Sequence, residues 1–176
     1  MIVLIGESAS GKSTLEKKLV NRGFNKIISY TTRPIRQGET NGIDYHYISE
    51  DEFLNKLNNG FFSEHTIYNS WYYGIAKEDC INDAIAVVEP HGFRQLAQMD
   101  GINVISFYIK VDERERLIRM VKRGDNLLEV FRRIFSDQGV FQFIENEVNY
   151  VIDNNSNINI DNVVNDIVEI IEVVNG

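Results

Sequence analysis

Cysteine occurs once in these 176 residues, as Cys80, and proline twice, as Pro34 and Pro90. One thiol cannot close an intrachain disulfide, so the fold must be held by its core, and a reducing compartment is expected. So few prolines exclude a Pro-rich linker, and no repeat or low-complexity spacer divides the chain. Basic side chains are in deficit, 18 Lys and Arg against 26 Asp and Glu, for a net charge of −8. That balance excludes the broad basic surface needed to wrap a nucleic acid. Long apolar runs are missing too. The first, IVLI at 2–5, is cut short by Gly6 and has no basic stretch before it. Neither a secretory leader nor a membrane span is expected, and the expected location is cytoplasmic.

What the chain does have is enough apolar material, 43% of its residues, for one real core, and its length suits one domain. The runs IVLI (2–5), FNKIIS (24–29), AIAVV (84–88), NVISFYI (103–109) and YVI (150–152) alternate with helical patterns. That alternation predicts an α/β fold with a parallel sheet built from crossover units. A first helix is expected from Lys12 to near Gly23. Residues 31–75 interrupt the alternation with polar turns, a helix that Ser49 and Glu52 would cap, and two aromatic stretches divided by Asn69-Ser70. The stretch RERLIRMVKRGDNLLEVFRRI reads as two helices broken at Gly-Asp.

GESASGKST, residues 6–14, carries the strongest chemistry. Gly6, four residues, then Gly11, Lys12 and Ser13 is the spacing of a phosphate-binding loop between a strand and a helix. Backbone N–H groups of such a loop cradle phosphates, here across Gly6, Ser8, Ser10, Gly11, Lys12, Ser13 and Thr14. Lys12 would reach the β- and γ-phosphates of ATP, and the Ser13 hydroxyl would ligate Mg²⁺. A second constellation, SYTTRPIRQGETNGIDYHY at 29–47, sets two arginines three apart ahead of a tyrosine. It suits a phosphate monoester, and equally a solvated polar loop.

Taken in order, GESASGKST, SYTTRPIRQGETNGIDYHYIS, GFFSEHTIYNSWYYG, RMVKRGD and NYVIDN resemble the guanylate kinase family in spacing over most of the chain. The resemblance implies a P-loop NTPase fold with a five-stranded parallel core sheet flanked by helices, all in one domain spanning 1–176. Core residues would be 1–30, 76–115 and 140–176, with an inserted mixed α/β monophosphate-binding subdomain at 31–75 and a helical lid at 116–139. It implies that Arg33, Arg36 and Tyr45 hold the acceptor phosphate, that Ser29 and Glu64 read guanine, and that Tyr73 lies with them. Arg123 and Arg133 would approach the transferring phosphate beside Lys12, with Arg119 nearby. Arg114, Arg116 and Arg132 read as a solvated helix face.

Two departures stand out. Ile75 occupies a position where the family carries a small hydroxyl residue that helps bind guanine. Val87 and Glu89 replace a pair of aspartates, and Glu89 keeps a carboxylate for a ribose hydroxyl or a Mg²⁺-bound water. His46, His65 and His91 show no metal-ligand spacing, although His91 stands beside Glu89. The resemblance thus implies ATP-dependent phosphorylation of GMP or dGMP by a monomer or homodimer whose partners are nucleotides alone. Another acceptor, such as dAMP or a ribosyl bisphosphate, stays open, as does a binding module that keeps the fold without turnover.

Overall fold

The computed structural model describes residues 1–68 and 70–175, so Asn69 of the expected hairpin turn lies outside the described residues. Five strands form a parallel sheet in the order β2 (Asn25–Lys26), β7 (Ala84–Val88), β1 (Ile2–Ile5), β8 (Ile105–Lys110), β9 (Tyr150–Asp153). β1 occupies the centre and is apolar at every position because both its faces are covered, as a parallel strand requires. Val3 and Ile5 face a cluster that includes Ala86, Phe93 and Leu96 of β7 and α3 (Pro90–Leu96). Ile2 and Leu4 face Leu15 and Leu19 of α1 (Lys12–Val20) and Val163, Val164, Ile167 and Ile171 of the last helix, α6 (Ile160–Asn175).

The expected strand at 24–29 is shorter than its sequence suggests. Only Asn25–Lys26 pair as β2, and after the Ile27 N–H donates to Ile85 the chain leaves for a second sheet. α1 likewise stops at Val20, and Gly23, with φ 100°, turns the chain back. The second sheet runs β4 (His46–Tyr47), β3 (Tyr30–Thr31), β6 (Trp71–Ala76), β5 (Phe62–Tyr68). Its helix α2 (Glu50–Asn58) begins where the Ser49 hydroxyl accepts the Glu52 N–H, the half of the expected capping box that the structure records.

The second sheet is tied to the core along β5. Gln95 of α3 accepts the His65 N–H (3.1 Å) and donates to the His65 carbonyl (2.8 Å). Helices α4 (Glu113–Lys122) and α5 (Leu127–Asp137) form a pair around Met120, Val130 and Ile134. No helix among the described residues is long and apolar enough to cross a membrane.

Candidate active site

The loop after β1 is built by backbone constraint. A β-carbon on Gly6 would stand 2.7 Å from the Ile109 carbonyl oxygen, so the chain can turn there only without one. Ala9 (φ 63°) and Gly11 (φ 99°) are both left-handed, and a β-carbon on Gly11 would meet Asn154 Nδ2 at 2.5 Å. Lys12 folds back over the loop, its ammonium donating to the carbonyls of Gly6 (2.6 Å) and Glu7 (3.0 Å). Burial pulls that ammonium down to about 8, against the opposing charges of Asp137 and Glu7. Ser10, Gly11, Lys12, Ser13 and Thr14 line a cavity of about 450 Å³, completed by Arg119, Arg123, Asn154, Asn155 and Ile160. Ser8 is turned the other way, its N–H donating to Asp137 Oδ2 at 2.8 Å.

A larger cleft of about 920 Å³ lies between the second sheet and the α4–α5 pair. Arg36, Gln37, Ser70 and Trp71 form one wall; Arg123, Asp125, Glu129, Arg132 and Arg133 form the other. These arginines come with acidic partners. Arg123 forks onto Asp125, and Arg133 donates to Glu129 Oε1 (2.8 Å) and reaches Asp125 (3.5 Å). Hydrogen bonds from Arg132 and Arg133 hold the Glu129 carboxyl at about 2. Arg123 lines both cavities.

Arg33 does not join Arg36 on that cleft. It is only 5% exposed and forks onto Glu39 at 2.8 and 3.0 Å, with its guanidinium over the rings of Tyr45 (5.4 Å) and Tyr47 (5.6 Å). Glu39 also accepts from the Tyr47 hydroxyl and the Arg36 N–H, so Arg33 braces the turn that carries Arg36. Tyr45 and Tyr73 stand with rings 6.0 Å apart, and burial followed by the Tyr73 neighbour pushes the Tyr45 hydroxyl up to about 12. Ser29 is half-buried, and its carbonyl accepts the N–H of His46, the residue after Tyr45.

Glu64, on β5, is 3% exposed, and its Oε2 has no hydrogen-bond partner among the described residues. Burial first, and then the charge of Glu89, push this carboxyl up to about 8. Glu89 itself accepts a hydrogen bond from the Thr66 hydroxyl. Thr66, Glu89, His91 and Arg94 share a third cavity of about 830 Å³ with Tyr68 and Ser136. One reading of the sequence is corrected here: Arg116 is not on a solvated face but 5% exposed, 3.3 Å from Asp137 and 3.8 Å from Glu7.

The phosphate loop follows β1, Arg123 joins its cavity to the arginine-walled cleft, and Gly92, against which the buried Glu64 carboxyl rests, lies on the helix that follows the neighbouring parallel strand β7. The family model described as guanylate kinase matches residues 1–174. The chain belongs to the guanylate kinase family. It is 31% identical over 158 residues to a guanylate kinase of Helicobacter hepaticus, covering 83% of this chain and 78% of that one. It is 33% identical over 165 residues to a guanylate kinase of Mycoplasma genitalium, covering 88% of this chain and 68% of that one. The fold is also that of a guanylate kinase crystal structure from Anaplasma phagocytophilum, with a TM-score of 0.70 at 22% identity over 98% of this chain and 84% of that one.

Within this guanylate kinase fold the two departures have visible neighbours. Ile75 pairs with Glu64 across the β5–β6 hairpin, yet its side chain is fully buried among Ile27, Cys80, Ala84 and Phe93. Val87 packs against the cluster beneath α1 and α6. Sequence reasoning missed Glu7, Glu39, Asp137 and Asn154 as parts of the site. Glu39 lies six residues from Arg33 and was within reach of a local charge-pair reading; the others are brought in only by the tertiary fold.

Proposed function

We propose that this guanylate kinase family member transfers the γ-phosphoryl group of ATP to GMP or dGMP, giving the diphosphate. The observation that carries the proposal is Arg123, which borders both the P-loop cavity and the cleft under Arg36. One cation thereby serves a donor phosphate on one side and an acceptor phosphate on the other, the arrangement phosphoryl transfer needs.

The P-loop fits ATP: its small residues Ser10, Gly11, Ser13 and Thr14 line the adjoining cavity beside the Lys12 ammonium, at the N-terminus of α1. Ser13 offers a hard hydroxyl oxygen to that cavity and is the residue that would hold Mg²⁺ together with the nucleotide. Bound there, the ion would neutralise phosphate charge. Lys12 exchanges the loop's own carbonyls for phosphate oxygens. Arg123 and Arg133 leave Asp125 and Glu129 for the transferring group, an inexpensive exchange because partly exposed ion pairs contribute little. Arg36, Tyr45 and Tyr73, with Arg33 behind them, orient the acceptor phosphate. An ionised oxygen of that phosphate attacks in line, so no general base is required. The lid is α4–α5, and residues 31–75 form the acceptor subdomain.

Guanine is favoured by Glu64. Its unpartnered oxygen can accept from N1–H or the exocyclic amino group, whereas adenine presents an acceptor at N1. Ser29 and Glu89 complete the acceptor pocket. A coupled assay with ATP against GMP, dGMP, AMP, dAMP, UMP and CMP tests the reading. GMP or dGMP should turn over fastest, and Lys12→Ala should lower that rate by orders of magnitude. Faster turnover of AMP or dAMP would overturn the guanine assignment.

A further inference from the structure

The P-loop is gripped from behind by the helical pair. Asp137, at the end of α5 and 129 residues from its partner, accepts the Ser8 N–H at 2.8 Å through Oδ2, the same oxygen that faces Arg116 Nη1 at 3.3 Å. Arg116 Nη1 lies 3.5 Å from the Ser8 carbonyl, and Arg119 Nη1 lies 3.4 Å from the carbonyls of Ala9 and Ser10. Glu7 is held by Arg116 at 3.8 Å and by the Tyr108 hydroxyl at 2.7 Å. Between these contacts Ala9 packs against Met120, Val130 and Ile134 of α4 and α5. Ala9 is left-handed at φ 63°, a conformation that a residue with a β-carbon holds only when its surroundings impose it. Both peptide groups of Ser8, just before this strained residue, are fixed by the pair Asp137 and Arg116.

We infer that Asp137 is a positioning residue for ATP: through Ser8 it holds the P-loop in its strained, phosphate-ready shape, and so couples the attitude of the lid to nucleotide affinity. This rests on the P-loop reading above. Asp137 touches no reacting atom, and its effect reaches the phosphates only through the backbone of Ser8 and Ala9. The acceptor pocket shares none of these contacts.

The test is ADP titration by calorimetry together with KM for ATP and for GMP. Asp137→Ala should weaken ADP and raise the KM for ATP about ten-fold, the equivalent of one charge-assisted hydrogen bond, while the KM for GMP stays at the wild-type value. Asp137→Asn keeps an oxygen where Oδ2 stands and should recover most of the loss. Because Asp137→Ala leaves Arg116 buried with a distant partner, the pair Arg116→Met with Asp137→Ala is run beside it, with thermal unfolding to establish that each variant is folded. ADP binding at wild-type strength in a folded variant lacking Asp137 would overturn the inference, as would equal rises in both KM values. Absence of GMP phosphorylation by the wild type would instead overturn the function proposed above, since the ADP titration needs only the P-loop.

Discussion

Glu64 and Gly92 meet so closely that a β-carbon on Gly92 would stand 2.6 Å from Glu64 Oε2 and 3.3 Å from Val88 Cβ. The glycine on α3 is therefore the floor on which the buried carboxyl rests. Gly92→Ala should displace that carboxyl and weaken GMP about ten-fold, because a misplaced acceptor no longer meets guanine's donors. ADP affinity, read by calorimetry on the same variant, should stay at the wild-type value.

Proton release should accompany acceptor binding. Glu64 sits at about 8, so near neutral pH it is largely protonated, and guanine's N–H donors favour the carboxylate. GMP affinity should rise as pH climbs towards 8 and level off beyond it, with protons released in calorimetry across buffers of different ionisation enthalpy. The same shift has a stability counterpart. A carboxyl raised from 4.5 to about 8 binds its proton more tightly when folded, so wild-type stability should fall as pH rises between those values. Glu64→Gln should remove that fall in thermal unfolding scans and should weaken GMP.

Arg33 and Arg36, three apart, should separate cleanly. Arg36→Ala removes an exposed cation from the cleft and should cost acceptor binding about 1.5–3 kcal/mol, with unfolding unchanged. Arg33→Ala strands Glu39 beside two tyrosines and should destabilise the fold by about 3 kcal/mol. Against the upward pull of burial, the bonds from Arg33 and Tyr47 bring Glu39 down to about 2. Its contribution is therefore complete above its ordinary value of 4.5 and lost as pH falls towards 2. Thermal scans at neutral and acid pH should show the Arg33→Ala deficit shrinking in acid.

Ile75→Ser places a hydroxyl where the side chain is fully enclosed by apolar neighbours. It should destabilise the protein by about 2–5 kcal/mol in denaturant unfolding. Tighter GMP binding by this variant would show that the hydroxyl turns out of the core towards the base.

The P-loop and the parallel sheet were legible because their signals are local: an apolar run, a glycine spacing and a helix follow one another within twenty residues of chain. The parallel direction of the core strands follows from crossover connections that sequence alternation announces, whereas their order, β2-β7-β1-β8-β9, is set by the tertiary fold. Arg36, Arg123 and Arg133 were legible through the family's motifs, and the fold gathers them on one cleft. What could not be read is burial of charge. Arg33 and Arg36 look alike on paper, and only the fold turns one inward onto Glu39. Arg116 lies on a helix crowded with charged residues, and its burial depends on Asp137 and Glu7, each remote in sequence. Strand β2 was over-read because Ile27 and Ile28 are apolar, while the chain must leave the core sheet there to start the second one.

β5 is the outermost strand of its sheet, a position whose free amide and carbonyl groups invite a neighbouring molecule to add a strand. At His65 the Gln95 side chain takes both groups, one accepted and one donated, standing in for a single rung of a missing ladder. The residue that fastens the second sheet to the core therefore also fills the edge of that sheet at this rung. Gln95→Ala would expose an unsatisfied edge beside Ile67 and Tyr68, and light scattering at rising protein concentration would reveal chains joining there.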